Sequence, residues 1–248
     1  MLDQVRAARG VVRSLRIYYG GRNRRSALDA VYRRYVGSGD LVFDIGGHVG
    51  DRVASFRRLG ARVVVAEPQP ALAKTLRLLF GRDRAVTVEE VAVGRAAGVV
   101  ALRLNLDNPT VSTASDAFIA AARGAPGWEG QQWIRTIEVP MTTLDALIAR
   151  HGAPRFIKID VEGYEAEALA GLSSPVPALS FEFTTIQRDI AAACVARCAE
   201  IGYRGFRASL GESLTFSDDR RSAASEIAAW LGDLPVEANS GDIYATLD

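Results

Sequence analysis

Cysteine, histidine and lysine are nearly missing from these 248 residues, with two of each. Cys194 and Cys198 cannot build a disulfide framework, so a reducing cytoplasm is the expected compartment. They lie four apart on one predicted helical face. A zinc site would want histidines beside them, but His48 and His151 are remote, so the cysteines read as buried small hydrophobes and no metal site is expected. No apolar run approaches ~20 residues, which excludes a bilayer-spanning helix. Arginines interrupt the first residues where a signal peptide would place its apolar stretch, so no secretory signal is expected. There is no tandem repeat and no low-complexity tract. What remains is ordinary globular composition, 48% hydrophobic and 24% charged, which excludes collagen-like, mucin-like and wholly disordered chains.

The scarcity of lysine means that Lys74 and Lys158 stand against 28 arginines. The net charge of +1 hides an uneven distribution. Residues 1–36 hold nine arginines against Asp3 and Asp29, about +7, which leaves about −6 for the rest. Such asymmetry fits an anionic or lipid-linked acceptor, or a peripheral position at a membrane surface; a solvated amphipathic helix fits it too.

Residues 1–36 read as one or two basic helices broken near Gly20-Gly21, and Gly37–Asp40 as a loop. Beyond it the pattern alternates. Strands are predicted at 41–45, 61–66, 85–89, 99–104, 155–160 and 179–183. Helices are predicted at 49–59, 70–80, 142–150, 164–172 and 186–201. Residues 203–208 and 243–247 suit a closing antiparallel pair, and 105–136 read as irregular around a helix at 116–123. Strand–helix alternation at this spacing implies βαβ units and a parallel sheet. The expected division is a basic extension, 1–36, and one α/β domain, 37–248.

Asp44-Ile45-Gly46-Gly47-His48-Val49-Gly50 lies between a predicted strand and helix, where glycine permits a tight turn and close approach to the backbone. A dinucleotide site wants glycine where His48 stands. An acidic residue at the strand tip would repel pyrophosphate but suits an ammonium group, such as the amino-acid end of S-adenosylmethionine. Glu67-Pro68 ends the next strand about 20 residues on, where a carboxylate accepts hydrogen bonds from ribose hydroxyls. Glu90, Val91 and Ala92 follow the third strand and are placed to meet an adenine edge. In a doubly wound sheet such a site lies beyond the carboxyl ends of the strands.

The fourth core strand ends in Lys158-Ile159-Asp160-Val161-Glu162-Gly163-Tyr164-Glu165. Three carboxylates in six residues are costly unless they bind something or stay solvated. One of them suits the role of general base for an acceptor hydroxyl. Glu182, on the fifth strand, is a further acceptor-side candidate.

Together Asp44–Gly50, Glu67-Pro68, Ala92-Val93-Gly94, Thr143-Leu144-Asp145 and Ile157–Glu165 resemble the FkbM family of S-adenosylmethionine-dependent methyltransferases over roughly residues 40–247. The resemblance implies a class I methyltransferase Rossmann-like fold, a seven-stranded mostly parallel sheet with helices on both faces. It also implies O-methylation, often of a sugar hydroxyl in a glycolipid, glycan or natural product. By it Asp44, Gly46, Gly47, His48 and Gly50 would line the methionine part, Glu67 the ribose and Glu90–Ala92 the adenine. The family's loop commonly has asparagine where this chain has His48, and alanine where it has Gly47.

Methyl transfer requires an attacking oxygen held in line and relieved of its proton. Asp160 is the first candidate for that work, followed by Glu162 and His48, with Asp160 also beside the cofactor. Acceptor selection is expected from 105–136, where Asn108, Thr110, Ser112, Thr113 and Ser115 offer hydroxyl partners. Trp128 and Trp133 there suit either sugar stacking or core packing. Rival readings are a nicotinamide dehydrogenase, a non-catalytic Rossmann-like interaction protein and a nucleic-acid-associated methyltransferase. No Asn-Pro-Pro-aromatic segment follows the fourth strand, so nucleic acid is not the expected substrate. Nothing specifies an oligomer.

Overall fold

The computed structural model describes residues 2–218 and 220–248. In chain order the elements are α1 (Leu2–Tyr19), α2 (Arg22–Tyr32), β1 (Leu41–Ile45), α3 (Asp51–Arg58), β2 (Arg62–Ala66), α4 (Pro70–Phe80), β3 (Val86–Glu89), β4 (Ala92–Val93) and β5 (Gly98–Leu104). There follow α5 (Asp116–Ala122), β6 (Arg135–Thr142), α6 (Leu144–His151), β7 (Phe156–Ile159), α7 (Glu165–Ala170), β8 (Ala178–Thr184), α8 (Arg188–Ile201), β9 (Gly205–Leu210), α9 (Ala224–Asp233) and β10 (Ser240–Thr246).

Seven strands form one sheet in the order β3-β2-β1-β7-β8-β10-β9. β10 is antiparallel to both its neighbours, and the pairs from β3 to β8 are parallel. The short apolar runs make this sheet because both its faces are covered. Along β1, Val42 joins Val63, Val65 and Phe156 against α2, α3 and α4, whereas Phe43 and Ile45 join Ile157 and Ile159 against α6 to α9. Cys194 and Cys198 are fully buried in the second layer, as free thiols. Prolines start α4, and a Thr143 side chain caps α6 by accepting from the Ala146 N–H.

One segment differs from expectation. The reading of 105–136 as irregular and of 142–150 as helix assigns no strand between them, yet residues 135–142 form the middle strand of a second sheet, β4-β6-β5. Proline is tolerated there because β4 pairs only with Met141 and Thr142, just beyond it. The last part of the basic extension packs onto the domain. Leu28, Val31, Tyr32, Tyr35 and Val36 are buried in the layer under β1, β2 and β7. Tyr35 stacks on Phe156 and Tyr244, with ring centroids 5.4 Å away in each case. Arrangements of that kind contribute about 0.5–1.5 kcal/mol beyond burial. Among the described residues no helix is long and apolar enough to cross a membrane.

Candidate active site

Strand order reverses between β1 and β7, the position at which an open α/β sheet leaves a crevice beyond its strand ends. A cleft of about 1120 Å³, including its open mouth, lies there. Gly46 turns the chain out of β1 with φ +87°, and a Cβ at this position would sit 1.7 Å from the Asp160 carbonyl oxygen. The glycine is therefore needed for two protein segments to touch, the β1 turn and the end of β7. Gly50 (φ +81°) begins α3 as its N-cap. It lies beneath the cleft, where a Cβ would strike the Phe80 ring at 2.6 Å.

Two carboxylates stand on the cofactor side. Both Glu67 oxygens accept backbone N–H groups, from His48 at 2.9 Å and Gln69 at 2.8 Å. Burial still raises the Glu67 carboxyl to about 8, against those hydrogen bonds. Asp44 is 2% exposed, and its Oδ2 is buried with no hydrogen-bond partner. Burial raises Asp44 to about 7, even with Lys158 and Arg52 pulling it down. An orphaned buried carboxylate oxygen beside the Gly46-Gly47 turn suits an ammonium group. Glu67 keeps further lone pairs able to accept from hydroxyls. The residues present fit S-adenosylmethionine.

A second cluster lies at the ends of β7 and β8. One carboxylate oxygen from each of Asp160, Glu162 and Glu182 falls within 4.8 Å of the others, close enough to share a proton or a cation. Lys158, 1% exposed, donates to Asp160 at 3.1 Å and to Asp242 of β10 at 2.7 Å. Burial opposes ionisation of Asp160, but Lys158 and Arg52 outweigh it and hold the acid below its usual range, with Glu182 donating a hydrogen bond. Glu162 and Glu182 go the other way: burial first, then the Asp160 charge, raise both well above the usual carboxylate range. The cluster therefore favours the negative charge on Asp160 and the proton on Glu162 and Glu182. Glu162 adopts φ +55°, an uncommon conformation for a residue with a side chain. Glu165 instead turns back, accepting from the backbone N–H groups of Val161 and Gly163.

The remaining wall comes from the N-terminus. Tyr18 of α1 lines the cleft and meets the His48 ring edge-on at 5.1 Å. The His48 Nε2 lies 3.0 Å from the Ser14 Oγ and 3.3 Å from the Thr110 Oγ1. Burial lowers His48 to about 4, so the imidazole is neutral near pH 7. Arg24 of α2 and Arg52 of α3 converge on Asp51 and Glu212 at the same rim.

The cleft thus gathers Asp44, Gly46, Gly47, His48, Glu67, Pro68, Val91, Ala92, Asp160 and Glu162. Glu90 is not part of the lining; the chain turns outward after β3, and Glu90 pairs with Arg77 at the surface. Thr110 and Ser112 line the cleft. Trp128 and Trp133 instead pack around Phe118 in a satellite core, their indole N–H groups bonded to Asn239 and to the Val111 carbonyl. Sequence reasoning missed Tyr18, Arg52 and Asp242. The lone buried-strand lysine was a usable signal for Asp242, since a lysine in an apolar run demands a distant acid.

Residues 44–208 match the model of the methyltransferase FkbM domain. The chain belongs to the FkbM methyltransferase family. It is an S-adenosylmethionine-dependent methyltransferase, and the strand order and cleft agree with that assignment. No protein with a curated description matches this methyltransferase in sequence. Among solved structures it is similar to a TehB-like SAM-dependent methyltransferase from Corynebacterium glutamicum, at 9% identity and TM-score 0.47, over 89% of this chain and 86% of that one. It is also similar to precorrin-6y C5,15-methyltransferase from Geobacter metallireducens, at 13% identity and TM-score 0.44, over 90% and 87%. A SAM-dependent O-methyltransferase from Thermotoga maritima matches at 13% identity and TM-score 0.41, over 89% and 64%. Likeness at this level says nothing about the acceptor.

Proposed function

We propose that this methyltransferase transfers a methyl group to a hydroxyl oxygen of a small-molecule or glycan acceptor, such as a sugar, glycolipid or natural product. The observation that carries the reading is Asp160, a carboxylate kept ionised by Lys158 at the point where the cofactor side of the cleft meets the acid cluster.

Asp44 would hold the cofactor's ammonium, Glu67 its ribose hydroxyls, and Val91 and Ala92 its adenine edge. When bound, the cofactor would supply an electrophilic methyl group whose C–S bond breaks as the sulfonium leaves as a neutral thioether. Asp160 accepts a hydrogen bond from the acceptor hydroxyl, aims a lone pair at the methyl carbon and receives the proton as the new C–O bond forms. Its low pKa makes it a weak base, so orientation is the larger part of its contribution. Glu162 and Glu182, held neutral, donate hydrogen bonds to neighbouring acceptor hydroxyls, which suits a polyol better than an isolated alcohol. His48, neutral and bonded to Ser14 and Thr110, offers an uncharged wall that does not repel a sulfonium.

The Asp160→Asn variant is expected to lose turnover while calorimetry still registers S-adenosylmethionine binding. Deleting the gene in the native host is expected to yield glycans or metabolites one methylene unit lighter. Full activity of Asp160→Asn would remove Asp160 from the mechanism; absence of saturable cofactor binding by the wild type would sink the whole reading.

A further inference from the structure

The solvent side of α1 is unlike that of an ordinary surface helix. Its inner side is committed to the domain. A Cβ on Gly10 would lie 2.5 Å from the Leu106 carbonyl oxygen, and Ser14 and Tyr18 reach the cleft. The outer side carries Arg9, Arg13 and Arg16, spaced four and three apart, all exposed. Among the described residues none of them forms an ion pair or hydrogen bond. The acids close to the helix are already answered, Asp107 by Arg6 and Asp3 by Arg135. Arg9 also feels the Asp107 charge, but among the described residues no acid pairs with Arg13 or Arg16, so the face keeps a net positive charge.

Apolar side chains alternate with these arginines. Val5 is 51% exposed, Val12 47% and Ile17 55%. A soluble polyanion would reward the arginines and leave the valines and isoleucine wet. An anionic bilayer surface rewards both, because the headgroup region pairs with guanidinium groups while the acyl boundary takes up the apolar side chains.

We infer that the outer face of α1 is a docking surface for an anionic lipid bilayer. Docking there brings the cleft to within about 10 Å of the headgroups, one helix diameter, since the inner face of the same helix is the cleft wall. The charge on the face is fixed, because arginine stays protonated over the accessible pH range.

The test is co-sedimentation of the full chain with phosphatidylcholine vesicles, with and without phosphatidylglycerol, at low and high salt. The wild type is expected to pellet with the anionic vesicles alone and to be released by salt. An Arg9→Gln/Arg13→Gln/Arg16→Gln variant is expected to partition more weakly by on the order of a hundredfold. A Val5→Ser/Val12→Ser/Ile17→Ser variant is expected to bind more weakly too, and to lose all its binding at high salt. Neither variant touches the cleft, so both are expected to keep wild-type S-adenosylmethionine binding, which separates failure of docking from failure of the active-site reading. Wild type that ignores anionic vesicles, or an arginine variant that binds as the wild type does, overturns the inference. If the apolar variant binds as tightly as wild type while the arginine variant does not, the attachment is electrostatic alone and docking through an inserted apolar face is overturned.

Discussion

Replacing Lys158 with methionine tests the electrostatic account of the cleft most directly. The lysine is 1% exposed and is the cation shared by Asp160 and Asp242, whose side chains are 27% and 9% exposed. Methionine keeps much of the volume and removes the charge. Removing one partner of a buried pair typically costs about 3–5 kcal/mol, because the remaining charge is left uncompensated. The carboxylates relieve part of this by taking up protons, so the cost depends on pH. Without Lys158, burial raises the folded-state pKa of both acids above the unfolded value. A raised acid binds its proton more tightly when folded, so the variant's stability falls as pH rises through that window. The deficit against wild type should be small in mild acid and grow by up to about 1.4 kcal/mol per pH unit for each carboxylate while it titrates. Urea unfolding at a series of pH values measures it, with cofactor binding as a check on the fold. A variant as stable as wild type near pH 8, or a deficit that is the same at every pH, would refute the reasoning.

Three further outcomes follow from other parts of the cleft. Gly46→Ala is expected to lose more than the roughly 1–2 kcal/mol of a left-handed non-glycine residue, because its Cβ also displaces the Asp160 carbonyl; thermal unfolding with and without S-adenosylmethionine measures this. Asp44 is raised to about 7 by burial, so a cationic ligand must displace its proton: affinity for S-adenosylmethionine should rise from pH 6 to 8, and calorimetry in buffers of different ionisation enthalpy should record proton release. With Asp44 and Glu67 both raised above their unfolded values, the ligand-free chain is fully supported by them only below about pH 4 and loses that support as pH climbs from there towards 8; a ligand-free melting temperature that rises from pH 5 to 8 would contradict it.

The parts of the site that were legible in the sequence are those made by one segment at a time. Asp44 and Asp160 each follow an apolar run and precede glycine, which marks a strand tip whatever the sheet around it. Glu67 is read the same way, one βαβ unit later. Asp242 was hidden because 84 residues separate it from Lys158, and only the insertion of an antiparallel strand brings them together. Tyr18 was hidden because helical spacing shows that α1 has an inner face and not what it covers. Glu90 is expected at an adenine edge from its position just past a strand; the structure keeps it out of the cleft lining and pairs it with Arg77, a contact across α4 that the spacing does not reveal. The tryptophans show that aromatic residues in a long loop are as ready to build a local core as to meet a ligand.

The antiparallel strand also orders events during synthesis. β10 fills the gap between β8 and β9 and follows both of them in the chain. Until residue 246 has left the ribosome, β9 has no neighbour in the sheet and Lys158 has only one of its two acids. A nascent chain halted before Ser240 would own the glycine turn, Glu67 and Asp160, every motif by which the family is read, and still lack the strand that brings Asp242 to Lys158. The second acid of that buried lysine therefore arrives only when β10 is made, after the glycine turn and the β2 end have already been synthesised.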